Sequence, residues 1–248
     1  MALREAFALG PGAVVAAVGG GGKTSLVFAL AEEEAGAGGA AVVTTTTKLT
    51  RPDWARVDSE FATASEGIAH DVPAPREGAV LLLHAGRGTR ERYLGVSGET
   101  VAAIAALGAG LIAVEADGSG GRPFKAPAAH EPVIPACATD VVVCVGLEVL
   151  GQPLAAAHVH RAERVAALAR AELGEIVTAS IIVDVLLAEE GGRKSVPERA
   201  RLHALLNGPR SDEHLRLGQH IAQRLVYGGF TGAVVATAHE RRVHAVVR

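Results

Sequence analysis

Gly19-Gly20-Gly21-Gly22-Lys23-Thr24-Ser25 brings together the residue types that hold phosphate. Glycines carry no Cβ, so the backbone takes positive φ and presses its N–H groups against phosphate oxygens. A helix starting after such a loop adds unpaired N–H groups and the positive end of its dipole. Lys23 would set a point charge on the terminal phosphates of a nucleotide, and the Thr24 hydroxyl would ligate the Mg²⁺ that bridges them. The longer pattern G-x-x-x-x-G-K-[ST] asks for glycine where Ala17 stands. This chain has the tighter G-x-x-G-K-T, Gly19 to Thr24. A solvated turn is the plain alternative. The valine-rich run before the loop and the helical pattern after it favour phosphate.

A second chemical signal is Leu111-Ile112-Ala113-Val114-Glu115-Ala116-Asp117-Gly118. A strand period of two puts Glu115 and Asp117 on one side at the strand's exit. Phosphoryl chemistry uses such a pair: one carboxylate completes the Mg²⁺ shell, and the other orients a water or acceptor. Asp117 is expected with Thr24 at the metal, and Lys23, Glu115 and Asp117 are the expected catalytic set. The alternative is an Asp-Gly turn after a lone Glu.

Two further stretches belong beside this site. Thr44-Thr45-Thr46-Thr47-Lys48 follows an apolar strand, and strands of a parallel sheet end on one edge. Thr45, Thr46, Thr47 and Lys48 are therefore expected to bind phosphate, Mg²⁺ or a second substrate; continued β-branched strand is the alternative. Gly118 to Pro127 is a glycine- and proline-rich loop in which Arg122 and Lys125 would neutralise phosphate or an acidic substrate; a solvated lid is the alternative.

The elements that must position these residues follow from periodicity. Val14 to Val18 is a buried strand, Thr24 to Ala35 a helix with Leu26, Val27, Leu30 and Ala31 on its apolar face, and Ala40 to Val43 the next strand. That is a βαβ unit. Further strands are expected at Ala79 to Leu83, Asp140 to Val145, Arg201 to Asn207, Gly232 to Ala236 and Val243 to Val247. Helices are expected at Gly98 to Leu107, Ala179 to Leu187 and Glu213 to Tyr227. Together they predict one α/β domain over 1–248. It is P-loop NTPase-like and doubly wound, a mostly parallel sheet with helices on both faces. An irregular excursion at 51–78 would be packed on by Trp54 and Phe61.

Composition bounds the partners. The 248 residues carry a net charge of −3 and no basic tract, so nucleic acid is not expected. One Trp, two Tyr and five Phe are too few for a base-stacking surface. No apolar run reaches the ~18 residues of a membrane span, and Met1-Ala2-Leu3-Arg4-Glu5, with its early acid and no long apolar core, does not read as a convincing signal peptide. Cys137 and Cys144 read as buried thiols in a reducing cytoplasm. His158 and His160 lie two apart, a poor spacing for zinc on a helical face.

GGGGKTS, TTTTK, VEADGSGGRPFKAP and HEPVIP, in this order and spacing, resemble the YqeC family. The block EADGS…R-P-x-K-A-P…H-E-P is the specific part. The resemblance implies a P-loop-type nucleotide binder, an accessory protein for selenium-dependent molybdenum hydroxylases and selenium cofactor biosynthesis. A molybdenum hydroxylase or its cofactor is then a partner beside the nucleotide, taken to be ATP. It carries over Gly19 to Ser25, Thr45 to Lys48, Glu115, Asp117, Lys125, His130 and Glu131, and His160-Arg161-Ala162-Glu163 matches a further block of the family. Two other functions remain open. The short loop also resembles that of the Mur ligases, which would make this an ATP-dependent activating enzyme. A non-catalytic carrier or chaperone for an anionic molybdenum-type cofactor is the other. Asn207-Gly208-Pro209-Arg210 stands where GTP-binding proteins carry Asn-Lys-x-Asp. Lys and Asp are both missing, so guanine selectivity is not expected.

Overall fold

The computed structural model describes residues 1–50, 56–63, 72–89 and 92–248. Trp54 and much of the 51–78 excursion lie outside the described residues.

The first half of the chain supplies a short helix α1 (Leu3–Ala6), then β1 (Ala13–Gly19), α2 (Lys23–Gly36), β2 (Ala41–Thr45), β3 (Lys48–Thr50), β4 (Ser59–Ala62), β5 (Val80–His84), β6 (Arg92–Leu94), α3 (Gly98–Ala105) and β7 (Leu111–Glu115). The second half adds β8 (Phe124–Lys125), β9 (Asp140–Gly146), β10 (Val159–His160), α4 (Ala162–Ala169), α5 (Ala179–Leu187), β11 (Arg201–Asn207), α6 (Asp212–Tyr227), β12 (Gly232–Thr237) and β13 (Arg242–Val247). Helix starts are chemically marked. Ser97, Thr178 and Ser211 each accept a backbone N–H from three residues on, at the heads of α3, α5 and α6. Such caps satisfy one of the orphan donors of a first turn.

Among the described residues, nine strands form one sheet in the order β13-β12-β11-β9-β1-β7-β2-β5-β4. All pairs are parallel except β12 with the edge strand β13. Central strands are buried on both faces and read as continuous apolar runs, as parallel sheets require. Alternation divides them between two cores. Val15, Ala17 and Val43 pack with Leu26, Phe28 and Leu30 of α2. Val14, Val114 and Val143 pack on the other face with Val101 of α3, Val165 of α4, Ile182 of α5 and Leu225 of α6. The expected doubly wound α/β architecture is therefore present.

Register decides what meets at the carboxyl edge. Ala17 of β1 and Thr45 of β2 both pair with Glu115 of β7. Gly19 pairs with Cys144 of β9, and Gly146 of β9 with Asn207 of β11. Two small ribbons stand over this edge, β8 parallel to β10 and β3 antiparallel to β6. Their strands of two and three residues were too short to show periodicity in the sequence. No helix among the described residues is long and apolar enough to cross a membrane.

Candidate functional site

The glycine loop joins β1 to α2 under tight constraint. Gly22, the residue capping α2, has φ of +106°, and a Cβ there would lie 2.6 Å from Asn207 Nδ2. At Gly20 a Cβ would meet the Pro123 carbonyl oxygen at 2.1 Å. Only glycine allows this approach.

Three loop amides are already used inside the protein. Gly19 N–H donates to Asp117 Oδ2 at 3.2 Å, Gly20 N–H to the Cys144 carbonyl at 2.7 Å, and Gly21 N–H to the Pro123 carbonyl at 2.9 Å. The Gly19, Gly20 and Gly21 amides thus already have acceptors within the protein. The donors left for an anion begin at Gly22 and run through the first turn of α2, where N–H groups have no intrahelical acceptor. No side chain caps that turn.

Lys23 is buried and folds back on its own loop, donating to the Gly19 and Gly20 carbonyls at 2.8 and 3.0 Å. Asp117 Oδ1 lies 3.7 Å from the same ammonium. An ammonium has three donors, so one remains beyond the two carbonyls.

Glu115 and Asp117 separate, contrary to the expectation that they share a side. Regular β7 pairing ends at Glu115, so strand alternation no longer governs Asp117. Glu115 Oε2 accepts the Thr24 hydroxyl at 2.6 Å. Its burial pushes its pKa above the usual carboxylate range; Lys23 and the Thr24 hydrogen bond oppose the rise, and Asp117 adds to it. Asp117 turns behind the loop, where Lys125 Nζ sits 2.9 Å from its Oδ2 and its Oδ1 has no hydrogen-bond partner. The position beside Thr24, expected for Asp117, is held by Glu115.

Buried Lys125 anchors a part-buried ionic relay. It donates to the Gly118 carbonyl at 2.7 Å and to Glu131 Oε2 at 2.6 Å. Arg161 forks onto Glu131, Nη1 to Oε2 at 2.7 Å and Nη2 to Oε1 at 2.9 Å. Burial alone would raise the Glu131 pKa. The hydrogen bonds from Arg161 and Lys125 outweigh it and hold the carboxyl at about 2. The β8–β10 ribbon, which pairs Lys125 with His160, brings Arg161 alongside. Arg161 was absent from the expected site; its sequence signal is the His-Arg-x-Glu block. His130 lies on the surface, 80% exposed.

The threonine run stitches strand ends. Thr44 donates to the Leu83 carbonyl at 2.9 Å, Thr45 to the Glu115 carbonyl at 2.7 Å, and Thr46 to the Val133 carbonyl at 2.6 Å. Thr47 N–H donates to Thr45 Oγ1 at 3.1 Å. Of Thr45, Thr46, Thr47 and Lys48, Lys48 alone reaches the cleft.

That cleft, of about 330 Å³, runs over Gly20 to Ser25 and is closed by Glu115, Lys48, Arg92 and the Gly118 to Arg122 loop. Arg122 lines it while donating to the Gly120 and Ala156 carbonyls at 2.8 and 3.0 Å. A second cavity of about 440 Å³ adjoins the other flank of the loop at Gly21 and Gly22, with Asn207, Arg210, Thr237 and His239 among its walls. Asn207 Oδ1 accepts the Ala238 N–H at 3.0 Å. Asp212 begins α6 and does not line this cavity. The loop thus lies between two cavities at the carboxyl edge, where open α/β sheets bind ligands.

Thr24 Oγ1 and the Glu115 carboxylate are hard oxygen donors. They fit Mg²⁺, which is held through one or two carboxylates together with substrate phosphates. No group of three or more His, Cys, Asp or Glu that could hold a metal occurs among the described residues. Both thiols are free; Cys144 is buried in β9 and Cys137 half-buried.

A family model described as YqeC protein matches residues 15–163. The Escherichia coli (strain K12) protein named "Uncharacterized protein YqeC" is 34% identical over 91 residues, 37% of this chain and 36% of that protein. The matched stretch therefore spans little more than a third of that relative. No solved structure matches the chain.

Proposed function

The chain belongs to the YqeC family, and on that premise we propose that it is a Mg²⁺-dependent nucleotide-binding protein acting by nucleotide hydrolysis or phosphoryl transfer, with ATP as the nucleotide. The observation that carries this reading is the 2.6 Å Thr24–Glu115 hydrogen bond at the head of an uncapped helix that begins at Lys23, directly after a glycine loop.

Mg²⁺, when bound with the nucleotide, neutralises charge on the β- and γ-phosphate oxygens. The chain's own groups do the rest. The Gly22 amide and the first-turn amides of α2 receive the phosphates. Lys23, held by two loop carbonyls, turns its remaining donor to them. Thr24 and Glu115 hold the metal side. Asp117 and Lys125 brace the loop from behind rather than touching the ligand. The nucleoside extends into the cavity of Asn207 and His239, whose 440 Å³ suits a small ligand. Within the family this activity would serve maturation of a selenium-dependent molybdenum hydroxylase or its cofactor.

The test is thermal stability with ATP, GTP, CTP or no nucleotide, each with and without Mg²⁺, for the native chain and Lys23→Ala. A ligand at a hundredfold its dissociation constant stabilises by about 2.7 kcal/mol, several degrees for a chain this size. A Mg²⁺-dependent shift for ATP, lost in Lys23→Ala, is expected. No shift with any nucleotide would overturn the reading.

A further inference from the structure

The β3–β6 ribbon pairs Lys48 with Leu94, Leu49 with Tyr93 and Thr50 with Arg92. Leu49 and Tyr93 are buried. Side chains alternate across a strand, so Lys48, Thr50, Arg92 and Leu94 share the opposite face. Lys48 and Arg92 are diagonal neighbours there, about 7–8 Å apart at the backbone and within reach of each other's long side chains. Both are exposed. Among the described residues neither side chain has a carboxylate partner. Two like charges held together without a counter-charge repel, and an anion between them removes that cost.

These two cations are also where two cavities meet. Both line the cleft over the glycine loop. Both line a neighbouring cavity of about 420 Å³ whose other walls include Gly88, Thr89 and Leu94. That neighbour shares no residue with the glycine loop. We propose that Lys48 and Arg92 form the anion-binding end of a second-substrate site opening off the phosphate cleft, and that its ligand is a small molecule bearing a multiply charged oxyanion. Arg92 supplies a planar fork and Lys48 a point charge, the pairing that suits phosphate or a polycarboxylate. The role as second substrate rests on the nucleotide reading; the anion site does not.

The experiment is thermal shift at matched ionic strength with inorganic phosphate or tricarballylate as probes. It uses the native chain, Lys23→Ala and the double variant Lys48→Gln/Arg92→Gln, with and without a Mg²⁺-bound non-hydrolysable ATP analogue. One of the two anions should raise Tm by about 3–6 °C at tenfold its dissociation constant. It should do so in the native chain and in Lys23→Ala but not in Lys23→Ala that also carries Lys48→Gln/Arg92→Gln; the double variant alone should keep the analogue's own shift. The responding probe names the oxyanion as phosphate or carboxylate. No shift from either probe in Lys23→Ala would overturn the site, as would a shift in Lys23→Ala that survives adding Lys48→Gln/Arg92→Gln. Loss of the analogue's shift in the double variant would overturn it too, assigning both cations to the nucleotide's phosphates. Anion shifts as expected, with no analogue shift in any chain, would uphold the site and remove the nucleotide reading.

Discussion

Lys125 Nζ lies 2.9 Å from Asp117 Oδ2, and the same ammonium is 2.6 Å from Glu131. The carboxylate that the sequence marks for metal is therefore neutralised from behind the loop. Its other oxygen stays within 3.7 Å of Lys23. Asp117 sits between the two buried lysines and ties them to the Gly19 amide.

Removing Asp117 should accordingly cost stability before it costs anything else. Asp117→Ala leaves Lys23 and Lys125 buried beside an empty position. Breaking one partner of a buried pair destabilises by about 3–5 kcal/mol, a fall in Tm on the order of 10 °C. Differential scanning calorimetry reads it. An unchanged Tm would remove Asp117 from the brace.

Glu115 predicts a different outcome. Glu115→Gln keeps the shape and leaves the Thr24 hydroxyl an acceptor, so Tm should change little. If Glu115 supports the metal, the Mg²⁺ concentration giving a half-maximal nucleotide shift should rise by at least about tenfold. Titrating Mg²⁺ at fixed ATP for both chains measures this. An equal half-maximum would show that Thr24 holds the metal without Glu115.

The Arg161–Glu131–Lys125 relay carries a pH signature. The Glu131 pKa is lowered in the folded chain from its ordinary 4.5 to about 2. A depressed carboxyl contributes stability that is fully present above the unfolded value and is lost as pH falls through the folded one. Urea midpoints of the native chain and Glu131→Gln should thus differ most above pH 4.5 and converge toward pH 2. A gap that stays constant across this window would mean the relay contributes nothing through charge.

Loop closure can be tested by a single methyl. In Gly20→Ala the added carbon would lie 2.1 Å from the Pro123 carbonyl oxygen, a backbone atom that cannot swing away. Overpacking of this kind costs about 1–3 kcal/mol. The shift should be accompanied by loss of the nucleotide response, because the loop and the Pro123–Phe124 backbone must part. Native Tm in Gly20→Ala would show that the two loops are not in contact.

Thiol reactivity should separate the cysteines. Burial pushes the Cys144 thiol up to about 12, with Lys23 opposing and Asp117 and Glu115 adding to the rise. The half-buried Cys137 is raised by burial as well. Nucleophilic attack needs thiolate. Under native conditions iodoacetamide should label Cys137 slowly and Cys144 only on unfolding, read by mass spectrometry of peptides. Rapid native labelling of Cys144 would mean that β9 opens.

Much of the fold was legible because its signals are local. The apolar runs of β1, β7, β9 and β12, the glycines at Gly19 to Gly22 and the helical periodicity of α5 and α6 are properties of neighbouring residues. They determined a parallel α/β sheet with Lys23 and Thr24 at the head of a helix. The tertiary structure alone decided which groups answer them. Thr24 meets Glu115 across 91 positions, Gly19 meets Asp117 across 98, and Arg161 meets Glu131 across 30. The threonine hydroxyls, read as ligand groups, are taken up by the carbonyls of Leu83, Glu115 and Val133. Buried polar groups must find partners, and register settles which partner is within reach. Sequence spacing carries the identity of a donor; only the packed sheet brings its acceptor to within hydrogen-bonding distance.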